Sequence, residues 1–258
     1  MPILLKDLSS LPSGTHAIAF HDSGEEEAEH AVAFLRGASD PGATAYWVAE
    51  PWVADLVREK LPRISARFEG AIRDLQGPQV AATQRVLRPV PEIAEFVSAH
   101  PRGVSAGADA ISYYWTREDV PRIEEYESWF DQQPRGGSRF LCPYDLRRIP
   151  LDMAPSLMRR LGSAHDHLTL SDSEDPISRL VQAFLFASPQ GVPEGLRGTV
   201  DEALDNGWLY YRPSHGFSWT VRGEHFSQLL RERTRTVPLR DPSPKAPSRS
   251  AAQGPVAL

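Results

Sequence analysis

Between residues 16 and 170, short apolar runs alternate with stretches of helical periodicity, and this alternation constrains the fold more than any other feature of the chain. His16-Ala17-Ile18-Ala19-Phe20-His21 reads as a strand after the turn-forming Ser13-Gly14. Glu25 to Ser39 reads as a helix with an apolar face of Ala28, Ala31, Val32, Phe34 and Leu35. Glu25, Glu26 and Glu27 in its first turn suit the positive end of the helix dipole. A turn at Asp40-Pro41-Gly42 leads to a strand from Ala43 to Ala49, and Pro51 opens a helix to about Leu61. Further strands are expected at Gln84 to Leu87, Ala110 to Trp115, Arg139 to Tyr144 and His167 to Leu170. Helices are expected at Glu92 to His100, Arg117 to Gln133 and Leu151 to Leu161. Strands that alternate with helices build βαβ units, so residues 12–172 predict an α/β domain with a mostly parallel sheet covered on both faces.

After the polar link Ser171-Asp172-Ser173-Glu174-Asp175-Pro176 the pattern changes. Helices at Ile177 to Ala187 and Pro193 to Asn206 are followed by the stop residue Gly207. Two strands, Trp208 to Arg212 and Phe217 to Val221, flank the turn Pro213-Ser214-His215-Gly216, and a helix runs from Gly223 to Arg235. Helix, helix, hairpin, helix predicts a small winged-helix-like α+β module over 175–236. Residues 237–258, rich in Pro, Ser, Ala and Gly, read as a disordered tail.

The turn after the first strand carries a functional expectation. A strand, a glycine-bearing turn and a helix form the setting of a P-loop. A working loop offers several glycine amides, a lysine for the β/γ-phosphates and a hydroxyl for magnesium. Here the segment is His21-Asp22-Ser23-Gly24-Glu25-Glu26-Glu27: one glycine, no lysine, no hydroxyl after it, and four carboxylates. Like charges about 4 Å apart repel by about 1 kcal/mol even in water, so such a loop opposes a triphosphate.

The same region resembles the MEDS family, the methanogen/methylotroph sensory domain of DcmR type. The likeness rests on His16 to His21 with Glu25-Glu26-Glu27 and the Phe34-Leu35 helix end, and on Ala45-Tyr46-Trp47-Val48. It continues through Glu125-Tyr126-Glu127 with Trp115 upstream, then Leu141-Cys142-Pro143-Tyr144-Asp145 and His165, spanning about 12–172. The resemblance implies a RecA/KaiC-like fold without ATPase activity, and a role in sensing small organic compounds in signalling and transcription control.

Candidate ligand-binding residues follow from strand ends, where open α/β sheets bind ligands. They are His21, Asp22, Trp115, Glu127, Cys142, Tyr144 and Asp145. Cys142 reads either as a ligand-contacting thiol or as a small buried strand residue. Glu127, among Trp115, Tyr126, Trp129 and Phe130, reads as a ligand acceptor or a structural ion-pair partner. No spacing pairs His21, His165 or His167 with Cys142 as a catalytic base. His165 and His167 fall on one strand face, but two ligands make half a zinc site, so no metal and no cofactor are expected. In the C-terminal module, Arg197, Arg212, His215 and Arg222 are the candidates for nucleic acid, although the second helix also carries Glu194, Asp201, Glu202 and Asp205.

The net charge of −6 argues against wholesale coating of nucleic acid or anionic membrane. The single cysteine excludes an intrachain disulfide, and no long apolar run suggests a signal peptide or a membrane span, so a cytoplasmic protein is expected. These readings converge on a non-enzymatic sensory or regulatory protein whose partners are a small organic ligand or a regulatory protein, with DNA open to the C-terminal module and homo-oligomers allowed. The alternatives are an interaction adaptor without a ligand and a residual nucleotide binder.

Overall fold

β2 (Thr15–His21) and β6 (Arg139–Asp145), buried along almost their whole length and lying side by side, form the centre of a parallel sheet. The computed structural model describes residues 2–37, 44–49, 51–61, 72–74, 89–100, 103–108, 120–132 and 137–235. Among these, the sheet holds seven parallel strands in the order β1-β7-β2-β6-β5-β3-β4, with β1 at Ile3–Leu4, β3 at Thr44–Ala49, β4 at Ile72–Asp74, β5 at Val104–Ala108 and β7 at His167–Thr169. The expected α/β architecture with a parallel sheet is present. Strands buried on both faces lose the polar alternation of half-exposed ones, which is why β2, β3 and β6 read as continuous apolar runs.

Side chains still alternate between the two faces. Ala17, Ala19, Trp47 and Leu141 point toward α1 (Gly24–Arg36) and α2 (Pro51–Lys60). Ile18, Phe20, Tyr46, Val104, Cys142 and Tyr144 point the other way, into the larger core. There they meet α4 (Val120–Gln132), α5 (Ala154–Ala164) and α6 (Pro176–Ala183), and α3 (Pro89–Ala99) packs its Phe96 against Tyr46 at 4.8 Å between ring centroids.

The strand beside β6 is Val104–Ala108, a segment that the sequence does not mark. Its Ser-Ala-Gly-Ala content lacks the bulky residues that signal a strand. The reason is tertiary: a Cβ at Gly107 would sit 2.3 Å from the buried Trp47 ring on the neighbouring strand. The strands expected at 84–87 and 110–115 lie outside the described residues. β1 and β4 are short edge strands of two and three residues, too brief to show periodicity.

The C-terminal segment continues with α7 (Glu194–Asp205), the antiparallel pair β8 (Leu209–Arg212) and β9 (Gly216–Trp219), and α8 (Val221–Arg235). Gly207 ends α7 with φ 65°, and the Trp208 amide donates back to the Ala203 carbonyl at 2.8 Å. Only a residue free of a Cβ takes this left-handed cap at no cost. The polar link at 171–176 is firmly tied: the Ser171 amide donates to Gln182 Oε1 at 2.8 Å, and Gln182 Nε2 donates back to the Ser171 carbonyl at 3.2 Å. Phe184, Leu209, Phe217 and Trp219 belong to the same continuous core as the sheet residues. Trp219 Nε1 donates to the Leu151 carbonyl at 2.8 Å and Arg159 Nη1 to the Phe217 carbonyl at 3.0 Å. No helix among the described residues is long and apolar enough to cross a membrane.

Candidate functional site

Two places in the fold gather polar chemistry. The first is the turn after β2. Ser23 caps α1, its hydroxyl accepting from the Glu26 amide at 3.2 Å. The Glu26 side chain then folds back over the turn. Its carboxylate accepts from the Asp22 amide at 2.9 Å, the Ser171 hydroxyl at 2.7 Å and the Asp172 amide at 3.2 Å. Burial, opposed by the Ser171 hydroxyl, leaves the Glu26 carboxyl above the ordinary glutamate value. On the other side of the turn the Trp52 ring covers Gly24, where a Cβ would meet it at 1.7 Å. The loop's own carboxylate and an indole thus pack against the turn at the helix N-terminus.

Beside this turn lies an open cleft of about 1010 Å³ at the C-terminal ends of β1, β2 and β7. Lys6, Asp22, Ser23, Glu26, His30 and Arg179 line it, and Pro193 and Leu196 close it from the C-terminal segment. Arg179 Nε donates to the Thr199 hydroxyl at 2.9 Å, tying this wall to α7. His30 Nδ1 is buried without a hydrogen bond. Burial and the neighbouring His21 lower its pKa to about 4, so the ring is neutral at neutral pH.

The second place lies inside the larger core. His16 is the second residue of β2, on the face that carries Ile18, and Cys142 has the same phase on β6. Glu127 projects from α4, and His165 caps the C-terminus of α5. All four are buried, and one donor atom from each lies within 4.8 Å of the others. His16 Nε2 is 3.2 Å from Cys142 Sγ and 3.2 Å from Glu127 Oε2, and His165 Nε2 is 3.1 Å from that same oxygen. The Tyr144 hydroxyl donates to Glu127 Oε1. Burial works to raise the Glu127 pKa, but the two imidazoles outweigh it and hold the carboxyl well below the usual range. Burial, and then the Glu127 charge, push the Tyr144 phenol well above its ordinary value. Sulfur, two imidazole nitrogens and a carboxylate oxygen are the donors that a divalent transition metal takes.

The sequence candidates are divided between these places. Asp22 lines the cleft, and His21 is buried at the end of β2, with Nδ1 3.1 Å from the Ser23 carbonyl. Glu127, Cys142 and Tyr144 are all buried; Cys142 and Tyr144 face the larger core, Cys142 in the middle of β6 and Tyr144 one residue before its end. Asp145 is engaged by Arg147, whose Nε and Nη2 donate to its two oxygens at 3.0 and 2.9 Å. Trp115 lies outside the described residues. Arg197 donates to Glu194 at 3.0 Å, whereas Arg212, His215 and Arg222 are exposed around the hairpin and the start of α8.

Sequence reasoning missed His16 and His30, named Glu26 only as one of the loop carboxylates, and found no imidazole for Cys142. The partner is His16, 126 residues away in sequence, and no local spacing encodes it. A legible signal was present nonetheless: ligand-type residues at core-facing positions of a strand and a helix, where apolar residues are the rule. The period-two pairing of His165 with His167 fails because His165 precedes the strand as a helix cap. No protein-family model, curated protein or solved structure matches the chain.

Proposed function

We propose that this chain is a non-enzymatic sensory or regulatory protein of the cytoplasm, a MEDS-type domain of RecA/KaiC-like descent joined to a winged-helix-like output module. The observation that carries the reading is Glu26. Its carboxylate occupies the amide of Asp22, in the turn where a P-loop would hold phosphate, and also accepts from Asp172 beyond β7. A fixed anion there repels a nucleotide, and the Trp52 ring packs against Gly24 at the start of α1. The strand order supports the same descent, with the loop-bearing β2 between β7 and β6 and separated from the next strand in sequence, β3, by two others.

The ligand site in this reading is the strand-end cleft, and the ligand is a small organic molecule with a polar group for Lys6, His30 or Arg179. Because the cleft is walled by both the sheet ends and α7, a ligand that fits one arrangement of the two better than another shifts their equilibrium. The exposed Arg212, His215 and Arg222 offer the output surface, to DNA or to a regulatory protein. Thermal unfolding with MgATP or MgADP is expected to leave the midpoint unchanged. Native mass spectrometry of the full chain is expected to show a co-purified small molecule that His30→Ala and Asp22→Ala release. A nucleotide-dependent rise in the midpoint would overturn the sensory reading.

A further inference from the structure

We propose that His16, Glu127, Cys142 and His165 form a closed, buried centre for one divalent metal ion of the zinc class. The site is independent of whatever occupies the strand-end cleft.

The geometry carries the assignment. A tetrahedral zinc ion with bonds of 2.0–2.3 Å spaces its donor atoms about 3.3–3.8 Å apart. Three of the donor pairs here stand at 3.1–3.2 Å, and all four donors fall within 4.8 Å of one another, so small side-chain shifts bring them to the spacing the ion needs. The hydrogen bonds around the site fix the donor orientation. His165 Nδ1 lies 2.7 Å from the Leu161 carbonyl, which places its proton on Nδ1 and presents the Nε2 lone pair to the cluster. Tyr144 donates to Glu127 Oε1 and leaves Oε2 facing the two imidazoles. Such outer hydrogen bonds are those that orient metal ligands.

Without a cation the same arrangement is poorly satisfied. His165 Nε2 and His16 Nε2 both converge on the single buried oxygen Glu127 Oε2, at 3.1 and 3.2 Å. His16 has a single Nε2, yet it faces both the thiol and the carboxylate at 3.2 Å. The two imidazole rings approach to 4.1 Å between centroids, too close for both to be cations without strong repulsion. A divalent ion resolves all three conflicts. Its binding displaces the thiol proton to solvent and forms an M–S bond. The charge of one thiolate, one carboxylate and two neutral imidazoles then cancels that of the ion, which an apolar core tolerates. Four protein donors leave no open position, so the centre is structural, joining β2, β6, α4 and the α5–β7 corner.

The test uses the untagged full chain. Protein unfolded with a chelator and refolded under reducing conditions with Co²⁺ is expected to take up about one ion per chain, with the visible bands of tetrahedral cobalt and a thiolate-to-cobalt charge-transfer band. Zn²⁺ is expected to displace it. Cys142→Ser is expected to abolish the charge-transfer band and weaken binding by about 100-fold or more, beyond what outer-shell changes cost. His165→Gln is expected to weaken binding with the charge-transfer band retained at saturating Co²⁺. A folded chain that takes up no Co²⁺, or bands unchanged in Cys142→Ser, would leave an ordinary imidazole–carboxylate cluster in place of a metal centre. Should the variants fail to fold, elemental analysis of the wild-type protein decides: about one zinc per chain supports the site, and less than about a tenth overturns it.

Discussion

Asp145 shows how a strand-end carboxylate is bound to a structural task. It is 3 % exposed, it caps a short helical turn, Leu146–Arg148, through the Arg147 amide at 2.9 Å, and it holds the Arg147 guanidinium through both oxygens. Burial alone would raise its pKa, but the hydrogen bonds from Arg147, with His21 nearby, hold it below the ordinary aspartate value. A carboxyl depressed in the folded state contributes stability that is complete above its unfolded pKa, about 4, and lost as pH falls through the folded value. Asp145→Asn is therefore expected to cost about 2 kcal/mol at neutral pH by urea unfolding. The difference from wild type should shrink as the pH falls below about 4, and a pH-independent difference would contradict the ion-pair account. Arg139 is placed by the same logic of satisfaction: 5 % exposed, it donates to Ser105 Oγ at 2.7 Å and to the carbonyls of Leu11 and Phe34 at 3.1 and 3.2 Å. The sequence reads this residue only as the start of a strand, because its acceptors come from three distant segments.

At the scale of the element, glycines separate helices shaped by local propensity from those shaped by their neighbours. Gly198 in α7 is exposed with nothing within 4 Å of a would-be Cβ, so Gly198→Ala is expected to raise stability by about 0.5–1 kcal/mol. Gly223 in α8 faces a different constraint. A Cβ there would lie 1.9 Å from the Trp208 carbonyl oxygen, a backbone atom that cannot rotate away. Gly223→Ala is expected to lower stability by about 3 kcal/mol despite the better helix former, because α8 must leave the hairpin to make room. Denaturant midpoints of the two variants should move in opposite directions. The acidic first turn of α1 belongs to the same scale: Glu25 and Glu26 suit the dipole, as the sequence indicates, yet Glu26 also closes the turn it starts.

At the scale of the whole molecule, the core runs without a break from Ile18 and Tyr144 through Leu157 and Leu161 to Phe184, Phe217 and Trp219. Trp219 is 8 % exposed, sits edge-on to Phe184 at 5.0 Å and donates to Leu151. The sheet and the C-terminal segment are therefore expected to unfold together, with coincident transitions by circular dichroism and fluorescence. Trp219→Ala is expected to cost about 3–5 kcal/mol and to shift that single transition as a unit. Two separate transitions would show that the polar link at 171–176 divides the molecule energetically.

The sequence by itself determined the alternation of strands and helices, the parallel sheet, the C-terminal stop at Gly207 and the acidic first turn of α1. Each of these depends on neighbours a few residues apart: apolar runs, helical spacing, a glycine at a helix end, carboxylates in a first turn. Tertiary structure alone decided the rest. It made a strand of Val104–Ala108 by laying Trp47 over Gly107, and it closed the cleft by bringing α7 to the ends of β1, β2 and β7. It also drew His16, Glu127, Cys142 and His165 to one point from four elements up to 149 residues apart, counting from His16 to His165. Strand order and helix crossings set such meetings, and no local periodicity carries them.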